Sequence, residues 1–145
     1  MSSPVTLHEL ADTLPNGFHD AEIRTVSVDY CDQRAVLQLE VWVGSMNAPP
    51  EHGREVYRLA ELELRGLAYL AMEPPDHNYP YGDGSPIGVD LSQRSVPVNG
   101  PPPRHGYFAA CFFVTDWNSC ITVSAQDAAL QWAAPAYDRG QKQEC

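Results

Sequence analysis

Ala35-Val-Leu-Gln-Leu-Glu-Val-Trp-Val43 is the stretch that decides the fold class. Ala35, Leu37, Leu39, Val41 and Val43 fall on one parity, and Val36, Gln38, Glu40 and Trp42 on the other. Successive side chains on a strand point to opposite faces, so the alternation predicts a β-strand with one buried and one largely wet face. Just upstream, Val26, Val28 and Tyr30 share a parity while Ala21 and Ile23 sit on the other. That change of phase at Arg24-Thr25 predicts a bulge. The polar turn Cys31-Asp-Gln-Arg34 joins the two runs as an antiparallel hairpin.

Working outward toward the N-terminus, Thr6-Leu-His-Glu9 fits a capping box and Leu7, Leu10 and Leu14 lie near one helical stripe. Pro15-Asn16-Gly17 ends that short helix, which must dock on something larger to be stable. Toward the C-terminus, residues 44–53 read as a loop, and residues 55–64 alternate imperfectly around Tyr57, Leu59, Leu62 and Leu64. Helix propensity leaves a helix open over 58–65, but Gly66 would then fall in its middle, so strand is preferred. Residues 67–72 continue as an apolar run.

Residues 73–106 hold eight prolines and five glycines, which predicts a long irregular loop with one short strand at Ile87-Gly-Val-Asp-Leu91. Residues 107–114 form an apolar strand, Thr115-Asp-Trp-Asn-Ser119 a turn, and 120–125 another strand. Ala128, Leu130 and Trp132 mark a last short strand or helical turn, and the tail after Pro135 is expected to fray. The expectation is a single domain over residues 1–145, mostly β. It would be an antiparallel sandwich or partly closed barrel of about six to eight strands with one short N-terminal helix. Leu37, Leu39, Val41, Phe112, Val114, Ile121 and Val123 are the expected core.

Composition narrows the partners. Nine basic against nineteen acidic residues give a net charge of −10, and thirteen of those acids lie in residues 1–76. Phosphate backbones and anionic membrane surfaces repel such a chain, so nucleic acid and membrane are not expected partners. An acidic face suits a basic protein as partner, the alternative being that the charge serves solubility alone. No apolar run approaches the ~20 residues of a bilayer span, no secretory signal is visible, and a cytoplasmic location follows as the expectation. Cys31, Cys111, Cys120 and Cys145 form no CxxC pair, so reduced thiols are expected, a Cys111–Cys120 bridge across a hairpin being the less favoured alternative.

Three segments carry residues suited to chemistry. In Phe18-His19-Asp20-Ala21-Glu22, His19, Asp20 and Glu22 are metal-ligand or acid–base types. Strand alternation would send His19 and Asp20 to opposite faces, so the preferred role of both is structural, Asp20 or His19 satisfying backbone donors where the chain turns into its first strand. Asp116, Trp117 and Asn118 form a polar turn that either stabilises itself or presents Trp117 to a partner. Tyr79 and Tyr81 sit in a glycine- and proline-rich stretch that suits either recognition or simple pinning of a loop. There is no GxSxG, Walker or GxGxxG motif, so no catalytic residue, cofactor or resident metal is assigned.

The stretch Leu14-Pro-Asn-Gly-Phe-His-Asp-Ala-Glu-Ile23, followed by a strand pair, resembles small uncharacterised bacterial proteins. It is also similar to certain immunity proteins of bacterial polymorphic toxin systems. The close resemblance spans residues 14–43, and Phe112-Phe-Val-Thr-Asp-Trp-Asn fits more loosely. It implies a β-rich, non-catalytic protein that binds a basic toxin. The proline-rich 73–106 stretch departs from that pattern. Two alternatives stay open: a metal-dependent or acid–base enzyme centred on His19, Asp20 and Glu22, and a small-ligand or structural domain with a cleft lined by Trp42, Tyr57, Tyr69 and Trp117.

Overall fold

A computed structural model describes residues 3–78, 87–92 and 104–140 of the chain. It is mostly β, with helix α1 (Leu7–Asp12) followed by strands β1 (Ala21–Asp29), β2 (Arg34–Trp42), β3 (Val56–Arg65), β4 (Tyr69–Met72), β5 (Ile87–Leu91), β6 (Phe108–Val114), β7 (Ser119–Ala125), β8 (Asp127–Trp132) and β9 (Tyr137–Asp138). All pairings are antiparallel, in the order β4-β7-β6-β5-β1-β2-β3-β8, with β9 added to β3. The expected phase change is a register shift between Ile23 and Thr25 on β1. It returns Val26 and Val28 to the face of Leu37 and Ala35, so the strand keeps its apolar side inward past the bulge.

The sheet is rolled, and its corners explain how. β3 and β8 lie at one end of the strand order and β4 and β7 at the other, yet β3 runs into β4 through residues 66–68 and β7 into β8 through Gln126. The two ends therefore meet at a shared corner, where Gln126 N donates to Arg65 O at 2.9 Å. Gly66 permits the approach: its φ is +61° and an added Cβ would lie 2.1 Å from the Gln126 side chain. Among the described residues no ladder joins β4 to β8, so the result is a sandwich-like fold rather than a closed barrel.

The inner face is one apolar core. Leu37, Leu39, Val41, Phe112, Val114, Ile121 and Val123 are all buried, as expected, together with Leu62, Leu64 and Val89. Each fully buried aliphatic or aromatic side chain contributes roughly 1.5–3 kcal/mol relative to exposure. The helix carries the predicted capping box, with Glu9 N donating to Thr6 Oγ1 at 3.1 Å and the Glu9 carboxylate accepting from Thr6 N. It docks Leu7, Leu10 and Ala11 on the core.

Four expectations need correction. The strands number nine among the described residues rather than six to eight, and the Ile87–Leu91 strand is central, hydrogen-bonded to β1 on one side and β6 on the other. The second face of β2 is not wet at its far end: Glu40 and Trp42 are buried there. The segment that helps cover it is the tail expected to fray, which pairs Tyr137 and Asp138 with Tyr57 and Val56 and donates Arg139 N to Glu55 O at 2.8 Å. Buried partners for Tyr137 and Arg139 outweigh the polar composition of that segment. Tyr79 and Tyr81 lie outside the described residues.

Candidate functional site

The Phe-His-Asp-Ala-Glu stretch splits at Phe18. Its ring is buried and meets Phe112 edge-on, with centroids 5.7 Å apart, which anchors the stretch to the core. His19 and Asp20 then stay outside, in turns closed by His19 N donating to Asn16 O and Ala21 N to Phe18 O. Asp20 has φ +56°, a left-handed conformation that strand geometry does not contain. Alternation therefore does not apply, and His19 and Asp20 lie side by side, with His19 Nε2 3.5 Å from Asp20 Oδ2. The expected separation of the two side chains onto opposite faces is overturned.

Among the described residues, Asp20 accepts from no backbone donor either. That part belongs to Asp90 on β5, whose Oδ1 accepts from Asp20 N at 3.0 Å and sits 2.6 Å from His19 Nδ1. The Asp20 carboxylate is 59% exposed and the His19 ring 61%. One donor atom from each of His19, Asp20 and Asp90 falls within 4.8 Å of the others.

Glu22 belongs to a different cluster. Its carboxylate accepts two hydrogen bonds from Arg139, at 2.7 and 3.1 Å, and Arg139 also donates to Glu40 Oε2 at 2.9 Å. Arg24 donates to the same Glu40 oxygen at 2.9 Å, and the Tyr137 hydroxyl donates to Oε1. The Arg139 guanidinium lies 3.8 Å from the centroid of the Tyr57 ring, a cation–π contact. Burial pushes the Glu40 carboxyl upward, but the Tyr137 hydrogen bond and the charges of Arg139 and Arg24 pull it below the ordinary value of 4.5. Burial, with the nearby Glu22 and Glu55 charges, raises the Tyr57 hydroxyl to about 12.

The polar turn after β6 closes the other side. Asp116 Oδ2 accepts from Gly88 N at 2.9 Å, and Thr115 Oγ1 donates to Gly88 O at 3.2 Å. Trp117 packs against the core, and Asn118, at φ +49°, donates to Asp76 Oδ2 at 3.4 Å. Asn118 thus lends its left-handed backbone to the turn and its side chain to the segment after β4. Asp20, Glu22, Tyr57, Gly88, Thr115 and Asp116 line a cleft of about 430 Å³. A second cleft of about 470 Å³ lies between α1 and β5, bordered by His8, Asp12, His19 and Asp90. The His19–Asp90 pair lines the second cleft, and Asp20, the next residue along the chain, lines the first.

Four of the sequence-named residues, His19, Asp20, Glu22 and Asp116, are thus brought to one end of the sheet. The acid–base grouping of His19, Asp20 and Glu22 is not: Arg139 holds Glu22, and Asp90 takes its place beside the histidine. Of the four aromatics, Tyr57 alone lines either of these two clefts; Trp42 is its cross-strand partner, and Tyr69 lies on β4. Cys111 and Cys120 are free thiols on neighbouring strands, and burial raises the Cys111 thiol to about 12, which makes it a poor nucleophile.

Asp90, Glu40 and Arg139 are the residues the sequence left unmarked. Asp90 carried one signal, as the only charged residue in an otherwise apolar five-residue strand. Among the described residues, no helix is long and apolar enough to cross a membrane. Comparison with protein-family models, curated proteins and solved structures gives no match.

Proposed function

We propose that this chain is a non-catalytic binding protein, immunity-protein-like in kind, that offers the cleft beside β5 to a basic protein partner. One observation carries the reading. Among the described residues, three carboxylates line the cleft, no lysine or arginine does, and of the three only Glu22 has its charge matched by a neighbouring guanidinium. Neither Asp20 nor Asp116 forms an ion pair with a lysine or arginine among the described residues. Like charges gathered around a concave surface raise the local concentration of cations and speed the arrival of a basic surface. The net charge of −10 adds to the same field at longer range.

The test uses the full chain as bait in extracts of its source cells, beside the double variant Asp20→Asn, Asp116→Asn. Asparagine tolerates the left-handed backbone at position 20 and still accepts from Gly88 N at position 116, so the fold is preserved. The expected result is a basic protein retained by the wild type at low salt and lost from the variant. A partner that is acidic, or one the variant retains equally, overturns the reading.

A further inference from the structure

We propose that His19 and Asp20 chelate a divalent transition-metal cation such as Zn²⁺, with Asp90 as the outer carboxylate that orients the imidazole. The geometry carries it. Two ligand atoms on a tetrahedral zinc, each bonded at ~2.0–2.1 Å, stand about 3.4 Å apart. His19 Nε2 and Asp20 Oδ2 stand 3.5 Å apart. The carboxylate of Asp90 faces Nδ1 at 2.6 Å and can only accept there, so in the neutral imidazole the proton sits on Nδ1 and Nε2 is left with its lone pair for a cation. A carboxylate behind a histidine is how metal-ligating imidazoles are fixed in tautomer and direction.

Asp90 also fixes the second ligand. The same Oδ1 that meets His19 accepts from the backbone N–H of Asp20, so one carboxylate holds both donors in place. The left-handed turn at Asp20 is what puts adjacent residues on the same side, and aspartate is among the few residue types that adopt it readily. Imidazole with carboxylate suits zinc and its neighbours better than magnesium or calcium, which prefer all-oxygen sites. Two protein donors leave the remaining coordination positions to water or to a donor brought by a bound partner. The inference concerns the isolated chain and does not depend on the partner reading above.

The experiment is a Zn²⁺ titration of the full chain followed by NMR of the histidine ring nitrogens, which separates the five histidines from one another and from the thiols. Saturable movement of the His19 Nε2 signal is expected, with Nδ1 remaining protonated. Asp20→Asn should weaken binding at least tenfold, and Asp90→Asn should weaken it by roughly 10–100-fold. A thermal melt of each variant without metal confirms that it is folded. A His19 ring that does not respond at millimolar zinc overturns the proposal. So does a response of equal affinity in Asp20→Asn, which would mean a lone histidine binding unaided.

Discussion

Two carboxylate clusters sit at the same end of this sheet and behave oppositely. Around Arg139, Glu22 and Glu40 are matched by guanidinium groups, and the Glu40 side chain is only 5% exposed. Around His19, Asp20 and Asp90 face each other across an imidazole, and the Asp20 side chain is 59% exposed. Removing one member of a buried, paired set leaves an uncompensated charge in a low-dielectric place, so such a set is committed to the fold. An exposed carboxylate whose only ion-pair neighbour among the described residues is a histidine costs little to change and remains available to a ligand. Burial and pairing, rather than residue type, separate the structural acids from the available ones.

The contrast can be broken by substitution. Arg139→Ala should have the largest effect, lowering stability by about 2–3 kcal/mol, because it removes both hydrogen bonds to Glu22 and one of the two guanidinium partners of Glu40, and loosens the C-terminal segment. Urea denaturation measures it. A change within experimental scatter would place the Arg139 cluster among the ornamental surface pairs.

Acid sharpens the same point. The Glu40 carboxyl lies below its ordinary value of 4.5 in the folded chain, so its contribution is fully present above that pH and disappears as pH falls through the folded value. The stability gap between wild type and Glu40→Gln should therefore be widest near neutrality and narrow below pH 4.5. A gap that stays constant down to pH 3 would contradict the assignment (pH 3 being about the floor of a practical titration).

Smaller effects are expected on the other side. Asp90→Ala removes the acceptor of Asp20 N and the partner of His19, and should cost about 1–2 kcal/mol. Asp20→Asn should change stability by less than about 0.5 kcal/mol, since asparagine keeps the left-handed turn and the lost charge is exposed. A loss as large as that of Asp90→Ala would show Asp20 to be structural after all.

How far the sequence reached follows from the range of each interaction. The capping box at Thr6 and Glu9, the alternation of residues 35–43 and the phase change at Arg24 are local patterns, and each has its counterpart in the fold. The seven expected core residues share that locality, because strand parity sorts them without knowledge of partners. What escaped was non-local. Asp90 meets His19 across 71 positions and Arg139 meets Glu22 across 117, and neither separation leaves a periodic trace. β5 was legible as a strand, but proline and glycine around it disguised its central place, where it supplies hydrogen bonds to two neighbours. At Asp20 one left-handed residue cancelled a correct general rule.

The central claim is that the cleft carboxylates without a guanidinium partner among the described residues serve recognition, beyond the turn that Asp116 holds on Gly88. Its most direct test is the association rate of the basic partner with the wild type and with Asp20→Asn, Asp116→Asn, measured by stopped flow over rising salt. The account predicts a wild-type rate that falls steeply between low and physiological ionic strength, and a variant several-fold slower at low salt with a shallower slope and an unchanged melting temperature. Equal rates, or a wild-type rate indifferent to salt, would contradict it.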